Sequence, residues 1–323
     1  MVKRGRAFIA CLAMALAAAP ALAQTYPAKP IRLIVPYAPG GTADMLSRAV
    51  GQKLTAALGQ QVIVDHRPGA SGMIGADAAA KAAPDGYTML MAYTAEIVIM
   101  PGLMKKMAYD AQRDLAPVTL GAVTPMVLLV HPSLPARSVK EFVALAKSRP
   151  GELPYASAGN GSPAHLAFEW LQRAANISIT HVPYKGAGPA LIDLLGGHVV
   201  IYFSGMPPAM PHVRNGRLRA LAVSTAKRSP AAPDIPAVAE AGIPGFDVPT
   251  WFGVLVPAAT PRDIIVKLNG AIAQALKSPD VREQMAREGA ETMPTTPEEF
   301  GAFIRTETAK FAKIIKDSGA TAN

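Results

Sequence analysis

Two short stretches carry residue types suited to gripping an anion. Tyr37 to Asp44 reads YAPGGTAD, and Ser157 to His165 reads SAGNGSPAH. Each is a glycine loop between an apolar run and a helix-like segment. Glycine lets backbone N–H groups turn toward a bound group, and the N-terminus of the helix that follows adds partial positive charge. Such a site suits a carboxylate or a phosphate without a charged side chain, and Thr42, Ser157 and Ser162 can add hydroxyl donors. One loop of this kind is a weak sign, because strand–helix turns use glycine for packing alone. Two of them, in separate parts of the chain, point to joint ligand binding.

Other chemistries fit less well. Gly159 to Ala164 matches G-x-G-x-x-A, but a dinucleotide site also wants an acid at the end of the next strand, and Ile177 to Tyr184 holds none. No GxxxxGK[ST] loop is present, so a nucleotide cofactor is not expected. Ser162 and His165 share a helix-start face, yet no acid is evident to orient the histidine, and no G-x-S-x-G elbow occurs. His165 therefore reads as a helix-face or domain-contact residue rather than a catalytic base. The histidines at 66, 131, 165, 181, 198 and 212 lack H-x-x-x-H spacing, so no metal is expected. Lys185, in VPYKGAG, either faces a cleft or is solvated or domain-contacting, with the second reading favoured. Glu96, in AYTAEIVIM, lies just past a strand end and is either a cleft acid or a helix N-terminal acid. Trp251 and Phe252 are expected to pack a hinge.

These residues need elements to hold them. Ile31 to Pro36 is an apolar, largely β-branched run broken only by Arg32, as in a strand buried on both faces. Met45, Leu46, Ala49, Val50, Leu54 and Leu58 then recur at helical spacing, and QVIVD at 61–65 is a second strand. The alternation continues through YTMLMAY, MVLLVHP, LPYASAG, ISITHVPY, VVIYFSG and LRALAVST, with helical segments between them and two helices at the end. Alternating strands and helices imply an α/β fold. Crossings between lobes are expected near 115–126 and 241–253. They divide the mature chain into a discontinuous domain, 24–122 with 249–323, and an inserted domain, 123–248. In such sheets ligands bind at the carboxyl ends of the strands.

The N-terminus bears on where the chain works. Lys3, Arg4 and Arg6 precede an apolar run, Ala7 to Ala19, and Ala21-Leu22-Ala23 is a small-x-small cleavage site. The run is shorter than the ~20 residues of a membrane span. It reads as a secretory signal over 1–23, with Gln24 the first mature residue. The single cysteine, Cys11, lies inside it, so the mature chain has no disulfide, thiol nucleophile or cysteine-bound metal. The formal charge of +9 becomes +6 without those three basic residues, and the remaining cations are scattered, unlike the basic stripe of a nucleic-acid binder.

Taken together, YPAKPIRLIVPYAPGGTAD, RPGASGMIGADAAAKAAPDGYT, YDAQRDLAPVT, YASAGNGSPAHLA, HVPYKGAGPALIDLLGG, RLRALAVSTAKRSP and TPEEFGAFIRTE span nearly all the mature chain. In that order they resemble the Bug-type (TctC-like) substrate-binding proteins of tripartite tricarboxylate transporters. The resemblance implies a two-lobed periplasmic-binding-protein fold of type II, each lobe a mixed sheet flanked by helices, with the ligand cleft between lobes. It implies a periplasmic, monomeric receptor that closes over a small organic carboxylate and presents it to a membrane permease, without cofactor or turnover. Carried over by position, it assigns ligand contacts to Tyr37, Ala38, Gly40, Gly41 and Thr42 in one lobe. In the other it assigns Ser157, Ala158, Gly159, Asn160 and His165, with Lys185 beside them. Asp44 is expected to shape its loop. Two positions depart from the family: Ser204 stands where an aspartate is usual, and Ala95-Glu96 replaces a small, hydroxyl-rich loop. Both are expected at the distal part of the pocket, where Glu96 would disfavour a second ligand carboxylate and pair with an ammonium. A ligand-reading receptor for a membrane sensor and an exported serine hydrolase are the competing functions.

Overall fold

The computed structural model describes residues 26–321, so the signal segment expected over 1–23 lies outside the described residues. The first strands are β1 (Ile31–Val35), β2 (Val62–His66), β3 (Thr88–Tyr93) and β4 (Leu115–Thr124). Next come β5 (Met126–Val130), β6 (Pro154–Ser157), β7 (Thr180–Pro183), β8 (Ile201–Gly205) and β9 (Arg219–Val223). The last are β10 (Thr250–Pro257) and β11 (Glu291–Thr292). They build two sheets, in the orders β11-β4-β10-β3-β1-β2 and β7-β6-β8-β5-β9. Both sheets are mixed. β1 pairs in parallel with β2 and β3, and β6 with β7 and β8, while β10 and β5 run antiparallel to their neighbours.

Local sequence explains the elements. β1 is IRLIV, with Ile31, Leu33, Ile34 and Val35 fully buried, because helices cover both faces of the sheet. The helix Thr42–Leu58 buries Leu46, Val50 and Leu54 on one stripe and ends at Gly59 in the left-handed region. The long helix Pro297–Ser318 starts with a capping box, in which the Thr296 hydroxyl accepts from Glu299 N–H and the Glu299 carboxylate accepts from Thr296 N–H.

The chain passes between sheets at two points. β4 runs straight through the stretch read as a crossing and leaves the first sheet only at Thr124, with Pro125 as the junction to β5. Eight of the ten β4 residues pair with β10, with two register shifts, so the crossing falls at the C-terminal end of the stretch where it was expected. The chain returns after Pro249 into β10, which lies between β3 and β4. Thr250 Oγ1 donates to Thr124 O at 2.8 Å and ties the two passages together. Trp251 is buried against Phe300 and Phe303 of the last helix, and Phe252 stacks on Tyr93. Among the described residues no helix is long and apolar enough to cross a membrane.

Candidate functional site

The cleft lies where loops at the carboxyl ends of both sheets meet. In the first sheet β1 and β2 are neighbours, so the YAPGG loop after β1 lies beside the RPGASG loop after β2. In the second sheet β6 and β7 are neighbours, so SAGNG lies beside YKGAG. These four loops pack across the cleft in pairs. Ala38 N–H donates to Lys185 O at 3.0 Å, and Gly40 and Gly41 abut Gly188 and Ala187 at the start of the helix Ala187–Leu195. Ser71 Oγ donates to Asn160 O. The two loops expected to hold a ligand together do not pack directly on each other: YAPGG faces YKGAG, and SAGNG faces RPGASG. Tyr37 joins the two pairs, since its hydroxyl reaches the Ser71 carbonyl at 3.0 Å.

Between these loops lies a cavity of about 350 Å³. Tyr37, Ala158, Gly159, Asn160 and Lys185, all candidates from the sequence, line it. Ser71, Gly72, Met73, Met100, Met104 and Tyr184 also line it and were missed. The glycines of RPGASG were a usable signal for the first three. The two methionines at 100 and 104 look like ordinary core residues in sequence.

The SAGNG loop is held from beneath. Gly159 N–H donates to Ser157 Oγ at 3.1 Å, and Gly161 N–H donates to His165 Nδ1 at 3.1 Å. Ser162 caps the helix Pro163–Ala175 by accepting from His165 N–H. The glycine amides expected to point at a ligand are thus used inside the loop. Asn160 is different: among the described residues neither its N–H nor its side-chain amide has a protein partner. Glycine is favoured at 161, because φ is +75° and a Cβ would lie 2.5 Å from Met100 Sδ of the other lobe, which would have to shift.

Several candidates support the cleft without lining it. Asp44 accepts from Gly40 N–H at 3.1 Å through Oδ2, while Oδ1 accepts from Arg48 and faces His66, so it shapes the YAPGG turn. Thr42 is buried and packs against Gly205 at the end of β8, next to the buried Ser204, whose hydroxyl donates to Gly205 O. Ala95 is buried as well. Ser157 Oγ lies 2.6 Å from His181 Nε2. His181 stacks between Tyr155 and His165, with centroids 4.9 and 4.4 Å away. Burial, and secondarily His165, hold the His181 pKa down at about 4, and burial lowers that of His165 too. Ser157 is fully buried, so this contact anchors a loop rather than activating a nucleophile.

Glu96 needs the largest correction. It was read as either a distal-pocket acid that could pair with an ammonium or a helix N-terminal acid, and it lies in the first turn of the helical segment Ala95–Ile99. Its side chain is fully buried behind the cavity wall, with Oε1 accepting from Tyr93 N–H at 2.6 Å and Oε2 2.8 Å from the Tyr37 hydroxyl. Both oxygens are engaged within its own lobe. Burial pushes its pKa up to about 8, against which the Tyr93 amide and the Tyr37 hydroxyl pull only partly. A neutral acid cannot pair with an ammonium as a charge.

A second, larger depression of about 1000 Å³ lies on the other side of the crossing strands, around Thr124, Pro125, Pro249 and Gly289. It contains none of the four loops. Among the described residues no group of three or more His, Asp or Glu side chains could hold a metal.

Known proteins share this architecture. Residues 46–320 match the family described as tripartite tricarboxylate transporter family receptor. Protein BugT of Bordetella pertussis is 42% identical over 310 residues, covering 96% of this chain and 95% of its own. A Rhodopseudomonas palustris protein solved with adipate superposes with a TM-score of 0.88 at 36% identity, covering 92% of this chain and 99% of its own. MatC from the same organism, solved with bound malate, gives 0.86 at 31% identity, covering 90% and 99%.

Proposed function

Because this chain belongs to the tripartite tricarboxylate transporter receptor family, we propose that it captures a small organic carboxylate between its lobes and delivers it to a tripartite-type membrane permease. As a member of that family it is a periplasmic solute-binding protein and not an enzyme. The observation that carries the ligand class is Asn160. Among the described residues its N–H and side-chain amide have no protein partner, and it lines a cavity between the lobes that Lys185 also lines. Donors without acceptors, flanked by a cation, suit a carboxylate. The dicarboxylates adipate and malate, found in the two R. palustris proteins, set the size range for a first test.

Segments 24–122 with 249–323 and 123–248 act as two units that swing about Pro125 and Pro249, and ligand shifts the balance toward the closed arrangement. The chain is exported by its segment 1–23 and works as a monomer. Tyr37, Ala158, Gly159, Asn160 and Lys185 contact the ligand. Ala38, Gly40, Gly41 and Thr42 shape the clamp, while Asp44, Ser157, His165, Ser204, Ala95 and Glu96 support it.

A thermal-shift panel of mono-, di- and tricarboxylates, amino acids and aromatic acids tests this reading. A true ligand raises Tm by mass action, and the gain is lost in Asn160→Asp. No shift with any carboxylate would overturn it.

A further inference from the structure

Glu96, Tyr37 and Ser71 pose a question of proton count. Tyr37 Oη lies 2.8 Å from Glu96 Oε2 and 3.0 Å from the Ser71 carbonyl oxygen. A phenol has one proton to give, and a carbonyl can only accept. If Tyr37 donates to Ser71, its oxygen and an ionised Glu96 oxygen face each other with lone pairs only. If Tyr37 donates to Glu96 instead, the buried Ser71 carbonyl loses its donor and a carboxylate stays buried beside apolar walls. One arrangement satisfies all three oxygens. Glu96 is the protonated acid and donates to Tyr37, and Tyr37 donates to Ser71.

The far end of this chain is the cleft contact. Ala70 and Ser71 sit at φ 46° and 51°, in the left-handed region that non-glycine residues avoid. From this turn Ser71 Oγ reaches Asn160 O of the opposite lobe. Backbone bonds from Gly72 N–H to Gly69 O and from Met73 N–H to Ala70 O close the turn, and the Tyr37 hydrogen bond fixes the Ser71 carbonyl within it.

We propose that Glu96 is a positioning residue for cleft closure: as a neutral acid it orients Tyr37, which holds Ser71 in the strained turn that bridges to Asn160. The proposal rests on the reading that the lobes close over a ligand. The titratable groups facing Glu96 are the Tyr37 phenol from the β1 loop, Tyr93 at the end of β3, and Tyr109, whose hydroxyl donates to the Glu96 backbone carbonyl at 2.7 Å. No charged side chain contributes to its shift. Loss of the proton to solvent turns Tyr37 toward the carboxylate and releases Ser71. Closure and ligand affinity therefore fall as the acid ionises.

Glu96→Gln separates this from a merely structural role. An amide donates to Tyr37 through Nε2, accepts from Tyr93 through Oε1, and does not titrate. Titration calorimetry with adipate and with malate, from about pH 6 to pH 9, is expected to show wild-type affinity falling by up to about tenfold per pH unit above pH 8. Glu96→Gln should bind within about threefold of wild type at pH 6 and show no such fall, while Glu96→Ala should bind weakly throughout. Parallel profiles for wild type and Glu96→Gln, or a Glu96→Gln as weak as Glu96→Ala, would overturn the proposal. A ligand-free readout distinguishes its failure from failure of the carboxylate reading. The mature chain reads as cysteine-free, so spin labels at Gln60→Cys and Lys140→Cys report the distance between lobes. Widening above about pH 8 in wild type and not in Glu96→Gln supports the positioning role even if no carboxylate binds. Equal behaviour of the two refutes it.

Discussion

Gly188→Ala should open the cleft without harming the fold. Gly188 is the second residue of the helix Ala187–Leu195, in ordinary helical backbone, and a methyl there would sit on the Pro39 carbonyl oxygen of the other lobe. Both flanking groups are backbone, so neither can rotate away. The lobes must part by about 1 Å at this point before the contact is tolerable. That separation stretches the Ala38–Lys185 bond from 3.0 Å beyond hydrogen-bonding range and breaks the Ser71–Asn160 bond. At about 1 kcal/mol each, the two bonds lost cost the closed state about 2 kcal/mol, or roughly thirtyfold in ligand affinity. The open arrangement has room for the methyl, and alanine's advantage over glycine in a helix is offset because Pro189 follows and disfavours helical backbone at a residue with a Cβ. Affinity should therefore fall while ligand-free Tm stays within a few degrees of wild type. Calorimetry with the best ligand of the carboxylate panel measures the first, and scanning calorimetry without ligand the second. Gly270→Ala is the control, since a Cβ there meets nothing within 4 Å, and it should leave affinity unchanged. An affinity for Gly188→Ala within about threefold of wild type would refute the closure reasoning, as would a Tm lowered by several degrees.

The pH dependence of stability carries two opposing terms that variants can separate. Glu96 is raised from 4.5 to about 8 in the folded chain, so its contribution is fully present below 4.5 and declines as pH rises toward 8. The stability of wild type relative to Glu96→Gln should thus fall by about 2 kcal/mol between pH 5 and pH 7, read by denaturant unfolding; parallel curves would contradict it. His181 is lowered from 6.5 to about 4, so its contribution is present above 6.5 and is lost as pH falls to 4. His181→Gln should flatten the acid limb of the Tm profile between these values. Ser157→Ala removes the acceptor of Gly159 N–H and the partner of His181, and should lower ligand affinity while the protein stays folded and free of esterase activity.

Much of the fold was legible because it is local. Ile31 to Val35 reads as a strand buried on both faces from its short β-branched run, and the spacing of Leu46, Val50 and Leu54 as a helix with one buried stripe, and both are found. The glycine loops were legible for the same reason, since each sits where a strand ends and a helix begins. The role of each loop atom was less so. Gly159 and Gly161 look like anion donors until the hydroxyl of Ser157 and the imidazole of His165 are seen to occupy their amides. The crossing near 115–126 was legible, but that most of it is a strand was not, because its ladder is to β10, more than a hundred residues away. The family membership rests on the ordered set of motifs, which no single loop could carry.

The sequence by itself determined the elements, the two glycine loops and the family, because dihedral preference and hydrophobic period act over a few residues. Tertiary structure decided which loops meet. β1 beside β2 and β6 beside β7 put RPGASG and YKGAG into the cleft, and that follows from sheet order rather than from any local pattern. It also decided the state of Glu96. A carboxyl in sequence is an anion, and only burial against Tyr37 and Tyr93 makes it a neutral donor, because charge is set by surroundings that distant segments bring together.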